Sequence, residues 1–546
     1  MENYSIADQF SLLAKLMDIH GENAFKSKSY SSAAFTIEKL PFQLVDLDRD
    51  KIFSIKGIGE SVGKKVLEIL DNGHLSALEE LIQKTPQGVM DIMSIKGLGP
   101  KKVSTIWKEM EIESLGELLH ACQENRLARY KGFGEKTQQS IEASIHFYLK
   151  SKGSHLYAEI DEYATFINKK LQKKFEKIEP TGAYRRQLEI IDTLEWVTTA
   201  TVEDLQEYFS EHGYEQEEAE ANTALFRCAE NVLLTFYCVD EDLFYKKLFD
   251  TSCSEEFLEA FTSIATAKDD VYTSEEDIFE KAGKPYLPAY VREKKSILEK
   301  NVYTSPLESK DIKGIIHSHS TWSDGSHTLE KMVEGCISRG YEYLVISDHS
   351  KTAFYANGLQ EERIIAQHLQ IDELNKTYKD FRIFKSIESD ILNDGSLDYS
   401  EDILKTFDLV IASVHSNLKM TEEKAMTRLI KAIENQYTTI LGHMTGRLLL
   451  SRPGYPVDHY KIIDACKANE VVIELNANPR RLDMDWRYID YALEKGVMIS
   501  VDPDAHSVEE FDYCKYGVLS AQKAGLTKEQ NLSSYGLKEF VEYIRR

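Results

Sequence analysis

Nine candidate metal ligands fall in one ordered series between residues 317 and 506: His317, His319, Asp324, His349, Glu388, His415, His443, Asp504 and His506. Six of the chain's 15 histidines are among them. Their placement constrains the fold more than any other feature. The region holds seven short apolar runs, and six end on a member of the series: KGIIHSH, YLVISDH, FRIFKSIE, LVIASVH, TTILGH and VMISVDPDAH. The seventh, VVIELNAN, ends on Asn476 and Asn478. Short runs rich in Val, Ile and Leu read as buried strands, and helical patterns separate them, as a parallel α/β barrel requires. Chemistry in such barrels sits at the C-terminal ends of the strands, where these side chains fall. A single His after a strand is ordinarily a loop residue; six in sequence with interleaved carboxylates read as a metal centre.

Imidazole and carboxylate together suit Zn, Mn or Fe, and no cysteine joins the series, which argues against a thiolate structural zinc site. Nine ligands exceed the needs of one ion, so two or three divalent ions are expected, with a carboxylate shared between them. Such a cluster suits hydrolysis at phosphorus.

The front of the chain carries three related segments: IKGIGESVGKKVLEIL at 55–70, IKGLGPKKVSTIW at 95–107 and YKGFGEKTQQSIEASI at 130–145. Each places a basic residue and a Gly-apolar-Gly turn before an amphipathic helix. Glycine permits a tight turn whose N–H groups point outward at a helix N-terminus, an anion site that neighbouring lysines reinforce. The repeats read as helix-hairpin-helix motifs. Their expected DNA contacts are Gly57, Gly59, Lys64 and Lys65, then Gly97, Gly99, Lys101 and Lys102, then Gly132, Gly134 and Lys136. Contacts of this kind grip the backbone without reading sequence.

Net charge is −25 over 546 residues, which is unexpected for a DNA-binding chain until its distribution is considered. Residues 201–300 hold 10 Lys+Arg against 24 Asp+Glu, more than half of the excess. That surface repels phosphate and leaves the middle of the chain free for a protein partner. No run of apolar residues is long enough to span a membrane. The seven cysteines form no disulfide pattern, and MENYSIADQF lacks the features of a secretory signal. A cytoplasmic monomer is the expectation.

HSHSTWSDG, ISDHS, ESDILNDGSLDY, SVHSN, LGHMTGRLLLSRPGYPVD and DPDAHS closely resemble the PHP (polymerase and histidinol phosphatase) domain. The match is to the version at the C-terminus of bacterial and archaeal X-family DNA polymerases. The resemblance implies a distorted (βα)7 barrel with a trinuclear site and 3′–5′ exonuclease activity. It assigns His317, His319, Glu388 and Asp504 to one metal, Glu388, His415 and His443 to a second, and Asp324, His349 and His506 to a third. Glu388 and His349 are the expected catalytic centre, with Arg447 either contacting phosphate or engaged in a structural salt bridge. Ile315 and Ile316 replace the family's usual Asp-Leu and touch no ligand.

EPTGAYRRQLEIIDTLEWV at 179–197 resembles the X-family palm signature, matching at Gly182, Arg185, Arg186 and Glu189. The Mg²⁺-binding aspartates of that signature fall on Thr193 and Glu195, and the third family aspartate falls on Thr235. A threonine hydroxyl does not offset the charge of a metal, so the polymerase module is expected to be inactive. Residues 1–80 resemble the family's small N-terminal domain. Its Schiff-base lysine falls on Lys65, for which phosphate contact and plain solvation are competing readings.

The expected organisation is a helix-hairpin-helix domain (1–80), a fingers-like all-α domain with two further hairpins (81–150), an α+β nucleotidyltransferase-like palm and thumb (151–275), a linker (276–304) and the PHP domain (305–546). The leading functional reading is a DNA-binding, metal-dependent phosphodiesterase that processes 3′ ends in DNA repair. The alternatives are a small-molecule phosphatase, an active polymerase with altered metal ligands in which Asp192 and Glu195 take part, and a non-catalytic DNA-binding scaffold.

Overall fold

The computed structural model describes residues 2–123, 126–151, 153–217, 221–228, 232–265, 271–299, 306–450 and 453–545. The expected 304/305 boundary lies outside them. Packing divides the chain into two units, Met1–Lys152 and Gly153–Arg546.

The first unit is all-α around one apolar cluster. Its three glycine-rich turns share one construction. Gly57, Gly97 and Gly132 adopt φ of 93°, 90° and 96°, a backbone region that L side chains rarely occupy. The apolar residues that follow, Ile58, Leu98 and Phe133, are buried and pin each turn to the core. The second glycines, Gly59 and Gly99, cap the helices Glu60–Asn72 and Pro100–Lys108 in extended conformation. Gly134 precedes the helix Glu135–Ser151.

The second unit begins with a five-stranded sheet: β1 (Ile178–Thr181), β2 (Leu194–Thr198), β3 (Glu215–Glu217), β4 (Thr223–Arg227) and β5 (Leu233–Cys238). Its spatial order is β1-β2-β5-β4-β3, and only β2 and β5 run parallel. Trp196, Phe209, Phe226 and Phe236 fill the core on one face. The following segment packs its own aromatic cluster of Phe249, Phe257, Phe261 and Phe279.

Seven parallel strands then form the barrel: β6 (Gly314–Ile315), β7 (Tyr343–Ile346), β8 (Arg382–Asp390), β9 (Leu409–Ser413), β10 (Ile440–Leu441), β11 (Val472–Asn476) and β12 (Ile499–Asp502). Each corresponds to one of the seven apolar runs, and every strand pairs with its neighbour in sequence. A parallel bridge between Ser318 and Ala505 joins the segments that follow the first and last strands. The strands are buried along nearly their whole length, so they read as continuous rather than alternating apolar runs.

Candidate metal centre

The nine side chains converge at the C-terminal end of the barrel, with Glu388 at the centre. Its Oε1 lies 3.3 Å from His317 Nε2, 3.1 Å from His415 Nε2 and 2.9 Å from His443 Nε2. Its Oε2 lies 2.9 Å from His349 Nδ1 and 3.6 Å from His319 Nε2. One carboxylate thus faces five imidazoles. Asp504 Oδ1 stands 3.1 Å from His319 Nε2 and 3.4 Å from His317 Nε2. Asp324 is 3.6 Å from His349 and 3.4 Å from His506.

Three groupings have ligand atoms within 4.8 Å of one another: His317, His319 and Asp504; His349, Glu388 and His415; and His319, Asp324, His349 and His506. His349 thus belongs to two of them, between Glu388 and Asp324. His443 joins through Glu388. Among the described residues, every such grouping of three or more lies in the barrel.

Local backbone explains how the side chains are aimed. His317 and Asp504 sit at φ of 58° and 53°, left-handed conformations costly for residues with a Cβ. The loop carrying His317, His319 and Asp324 wraps around the buried carboxylate of Asp348. That group accepts from the backbone N–H groups of Ser320 and Ser323, both their hydroxyls and Gln367 Nε2.

Two carboxylates outside the nine complete the site. Glu474 accepts from His317 Nδ1 at 2.5 Å, and Asp390 stands 2.5 Å from His415 Nδ1. A carboxylate on the far ring nitrogen fixes the tautomer and aims Nε2 inward, the arrangement of metal-bound histidines. Sequence reasoning passed over both because each lies inside a strand. The available signal was a charged residue within an apolar run: Glu474 in VVIELNAN and Asp390 after FRIFKSIE.

The electrostatics fit a cationic occupant. Burial alone depresses an imidazole, and in His319, which also faces His506 and His349, the result is a pKa of about 3. Elsewhere carboxylates overcome burial. Glu474, Asp504 and Glu388 hold His317 well above its ordinary value. Glu388 and Asp390 carry His415 up to about 10, and Asp324 and Asp504 carry His506 to about 9. Glu388 and Asp504, although buried, are held well below the usual carboxylate range by the surrounding histidines. Buried His317 Nε2, His349 Nδ1 and Glu388 Oε2 face the same space as close neighbours, yet none makes an aligned hydrogen bond. Polar atoms left this way are expensive unless an ion satisfies them, and the donor set suits a divalent metal. Beside the cluster lies a cleft of about 360 Å³ lined by Asp324, His349, Val414, His415, Leu418, Leu448, Arg481, Asp504 and His506.

The structure engages Arg447 away from that cleft. Its guanidinium donates to the carbonyls of Arg481 (2.9 Å) and Leu482 (2.5 Å) and to Asp485 (2.6 Å). Arg481 lines the cleft, with Nε 3.6 Å from Asp504.

In the palm, Thr193 and Thr235 hydrogen-bond to each other at 2.8 Å. Glu195 accepts from Tyr237 OH (2.8 Å) and Ala183 N (3.3 Å). A Cβ on Gly182 would lie 1.6 Å from Glu195 Oε2, so the signature glycine accommodates that side chain. Asp192 accepts from Ser154 instead of joining them.

At the hairpins, a Cβ on Gly59, Gly97, Gly99, Gly132 or Gly134 would meet nothing within 4 Å, so these turns are open to an approaching backbone. Lys101 and Lys136 are exposed and Lys64 pairs with Glu60. Lys102 Nζ reaches the Gly97 carbonyl at 3.4 Å. Lys65 is four-fifths covered, 3.9 Å from Glu68.

A parallel barrel with a histidine-carboxylate cluster at its strand ends, on a chain that begins with helix-hairpin-helix turns, defines a metal-dependent phosphoesterase equipped to bind DNA. Residues 1–75 match the helix-hairpin-helix domain family and residues 89–143 the SAM-like helix-hairpin-helix tandem. The chain is 30% identical to the DNA polymerase/3′-5′ exonuclease PolX of Bacillus subtilis, over the full length of both proteins. It is also 29% identical over 231 residues, 38% of this chain and 91% of the relative, to a "Probable phosphatase" of Thermoanaerobacter. A "Probable phosphatase" of Acetivibrio thermocellus is 28% identical over 42% of this chain and 94% of its own length. The chain belongs to the PolX family, the X-family DNA polymerases with a C-terminal PHP domain. Among the described residues, no helix is long and apolar enough to cross a membrane.

Proposed function

We propose that this chain is a 3′–5′ DNA exonuclease whose barrel holds two or three divalent ions, Mn²⁺ or Zn²⁺ with Fe²⁺ as a further candidate, and whose palm has lost nucleotidyl transfer. The observation that carries the reading is Glu388, a buried carboxylate shared by five histidines. When bound, divalent ions in such a site lower the pKa of water and clamp the oxygens of a scissile phosphate. Glu388 and Asp504 supply the negative charge that retains them, and His317, His319, His415 and His443 orient around those carboxylates. Asp324, His349 and His506 form the outer grouping on the cleft side. Glu474 and Asp390 accept the Nδ1 hydrogens of His317 and His415, which makes Nε2 the atom each ring would offer a metal. The hairpins hold the DNA backbone without regard to sequence.

Thr193, Thr235 and the internally bonded Glu195 support loss of polymerase chemistry, since octahedral Mg²⁺ requires free carboxylate oxygens. The test is digestion of oligonucleotides labelled at either end, with Mn²⁺ or Zn²⁺ added to metal-stripped protein. Stepwise shortening from the 3′ end supports the reading. Release of phosphate from small monoesters with DNA left intact would favour a small-molecule phosphatase. Template-dependent extension of a gapped primer would overturn the inactive-palm reading.

A further inference from the structure

The palm signature residues are engaged with side chains around them. Arg185 donates to Ser252 (2.7 Å) and Glu275 (2.5 Å), and Arg186 to Glu293 (3.0 Å). Glu189 reaches the barrel: its Oε1 accepts from Arg487 (2.7 Å) and its Oε2 from the Trp486 indole (3.2 Å). Arg487 also holds Asp485 (3.0 Å), and Asp485 orients Arg447 (2.6 Å). Arg447 then fastens the carbonyls of Arg481 and Leu482. Leu482 has φ 42°, a conformation that persists only when its surroundings impose it. The chain of contacts therefore runs from a palm carboxylate to the backbone of the residue that enters the cleft.

Among the described residues that line the cleft, Arg481 is the one Lys or Arg. Its side chain is 19% exposed and its nearest carboxylate, Asp504, is 3.6 Å away, which leaves donors for a ligand. A planar guanidinium matches two non-bridging phosphate oxygens in a way that a point charge does not. Val414, Leu418 and Leu448 also line the cleft, apolar side chains suited to a sugar or base and without groups that read base identity.

We propose that Arg481 orients the scissile phosphate and that the vestigial palm, through Glu189, is the brace that fixes it; the proposal rests on the phosphodiesterase reading above. Arg481 is then a catalytic residue, while Glu189, Asp485 and Arg447 are positioning residues.

Single-turnover digestion of a labelled oligonucleotide by full-length protein tests this, with metal per chain measured in every variant. Arg481→Ala is expected to lower the rate about 10²–10³-fold at wild-type metal content, as loss of an electrostatic clamp does. Arg481→Lys recovers part of the loss, because charge returns without the planar fork. Glu189→Gln slows cleavage about tenfold through misplacement of the reacting group. In the Arg481→Ala background it costs nothing further, because both act through one side chain. Wild-type cleavage by Arg481→Ala, or loss of metal from it, overturns the phosphate assignment. An equal cost of Glu189→Gln in both backgrounds overturns the brace. Failure of the wild-type protein to shorten DNA would count against the phosphodiesterase reading itself.

Discussion

Glu388 presents one oxygen to three imidazoles and the other to two more, all inside a buried pocket. Removing it leaves those rings without their shared counter-charge. Glu388→Ala is expected to lower hydrolysis by about three orders of magnitude, the scale of losing a central electrostatic group, and to reduce bound metal. Activity and metal content of the purified variant check this together. The same residues set a pH dependence. At neutral pH and without metal, His415 and His506, with pKa values of about 10 and 9, carry protons that a metal must displace. Metal affinity should therefore rise with pH up to that range, by about tenfold per unit for each proton released. Titration calorimetry in buffers of different ionisation enthalpy reports the proton count; affinity independent of pH between 6 and 9, on the order of that window, would contradict the assignment. The nine side chains that converge were legible as a group because each ends or follows an apolar run. Glu474 and Asp390 were not, because their role depends on which neighbouring strand they face. Arg447 and Arg481 show the same limit. Both lie near ligands in sequence, and only the fold separates the one engaged with Asp485 and two carbonyls from the one at the cleft.

Elements built on local rules were the most readable. The seven runs became seven parallel strands because their length and branched side chains leave few alternatives once both faces are buried. The hairpins were equally plain, since only glycine adopts φ near 90° without strain. Replacing Gly97 and Gly132 by valine should strain both turns and fill the open space above them. DNA affinity should then fall for all sequences alike, with a shallower salt dependence. Binding isotherms over a salt series check this, and unchanged slopes would place the DNA contacts elsewhere. The palm was legible by signature alone. The signature puts Thr193, Glu195 and Thr235 at the positions where aspartates are expected, but does not show that Glu195 turns back onto Tyr237 and Ala183.

For the whole molecule, residues 153–546 pack as one unit that includes palm and barrel, and 1–152 as another. A fragment of residues 153–546 keeps every barrel ligand and the palm contacts at Arg487, but lacks the hairpins. It should hydrolyse a small activated phosphodiester at the full-length rate. On oligonucleotides it should lose about 10²–10⁴-fold in efficiency, the contribution that tethering makes to local concentration. Equal efficiency of fragment and full chain on DNA would show that the hairpins do not serve this reaction. The central claim is that a metal cluster centred on Glu388 cuts DNA from its 3′ end. Its most direct test is stoichiometric addition of Mn²⁺ to metal-stripped full-length protein and to Glu388→Gln, with 3′-end release measured at each step. The account predicts that wild-type activity rises with bound metal and saturates at two or three ions per chain, while the variant stays inactive at every addition. Wild-type rates from Glu388→Gln, or full activity in metal-stripped wild-type protein, would contradict it.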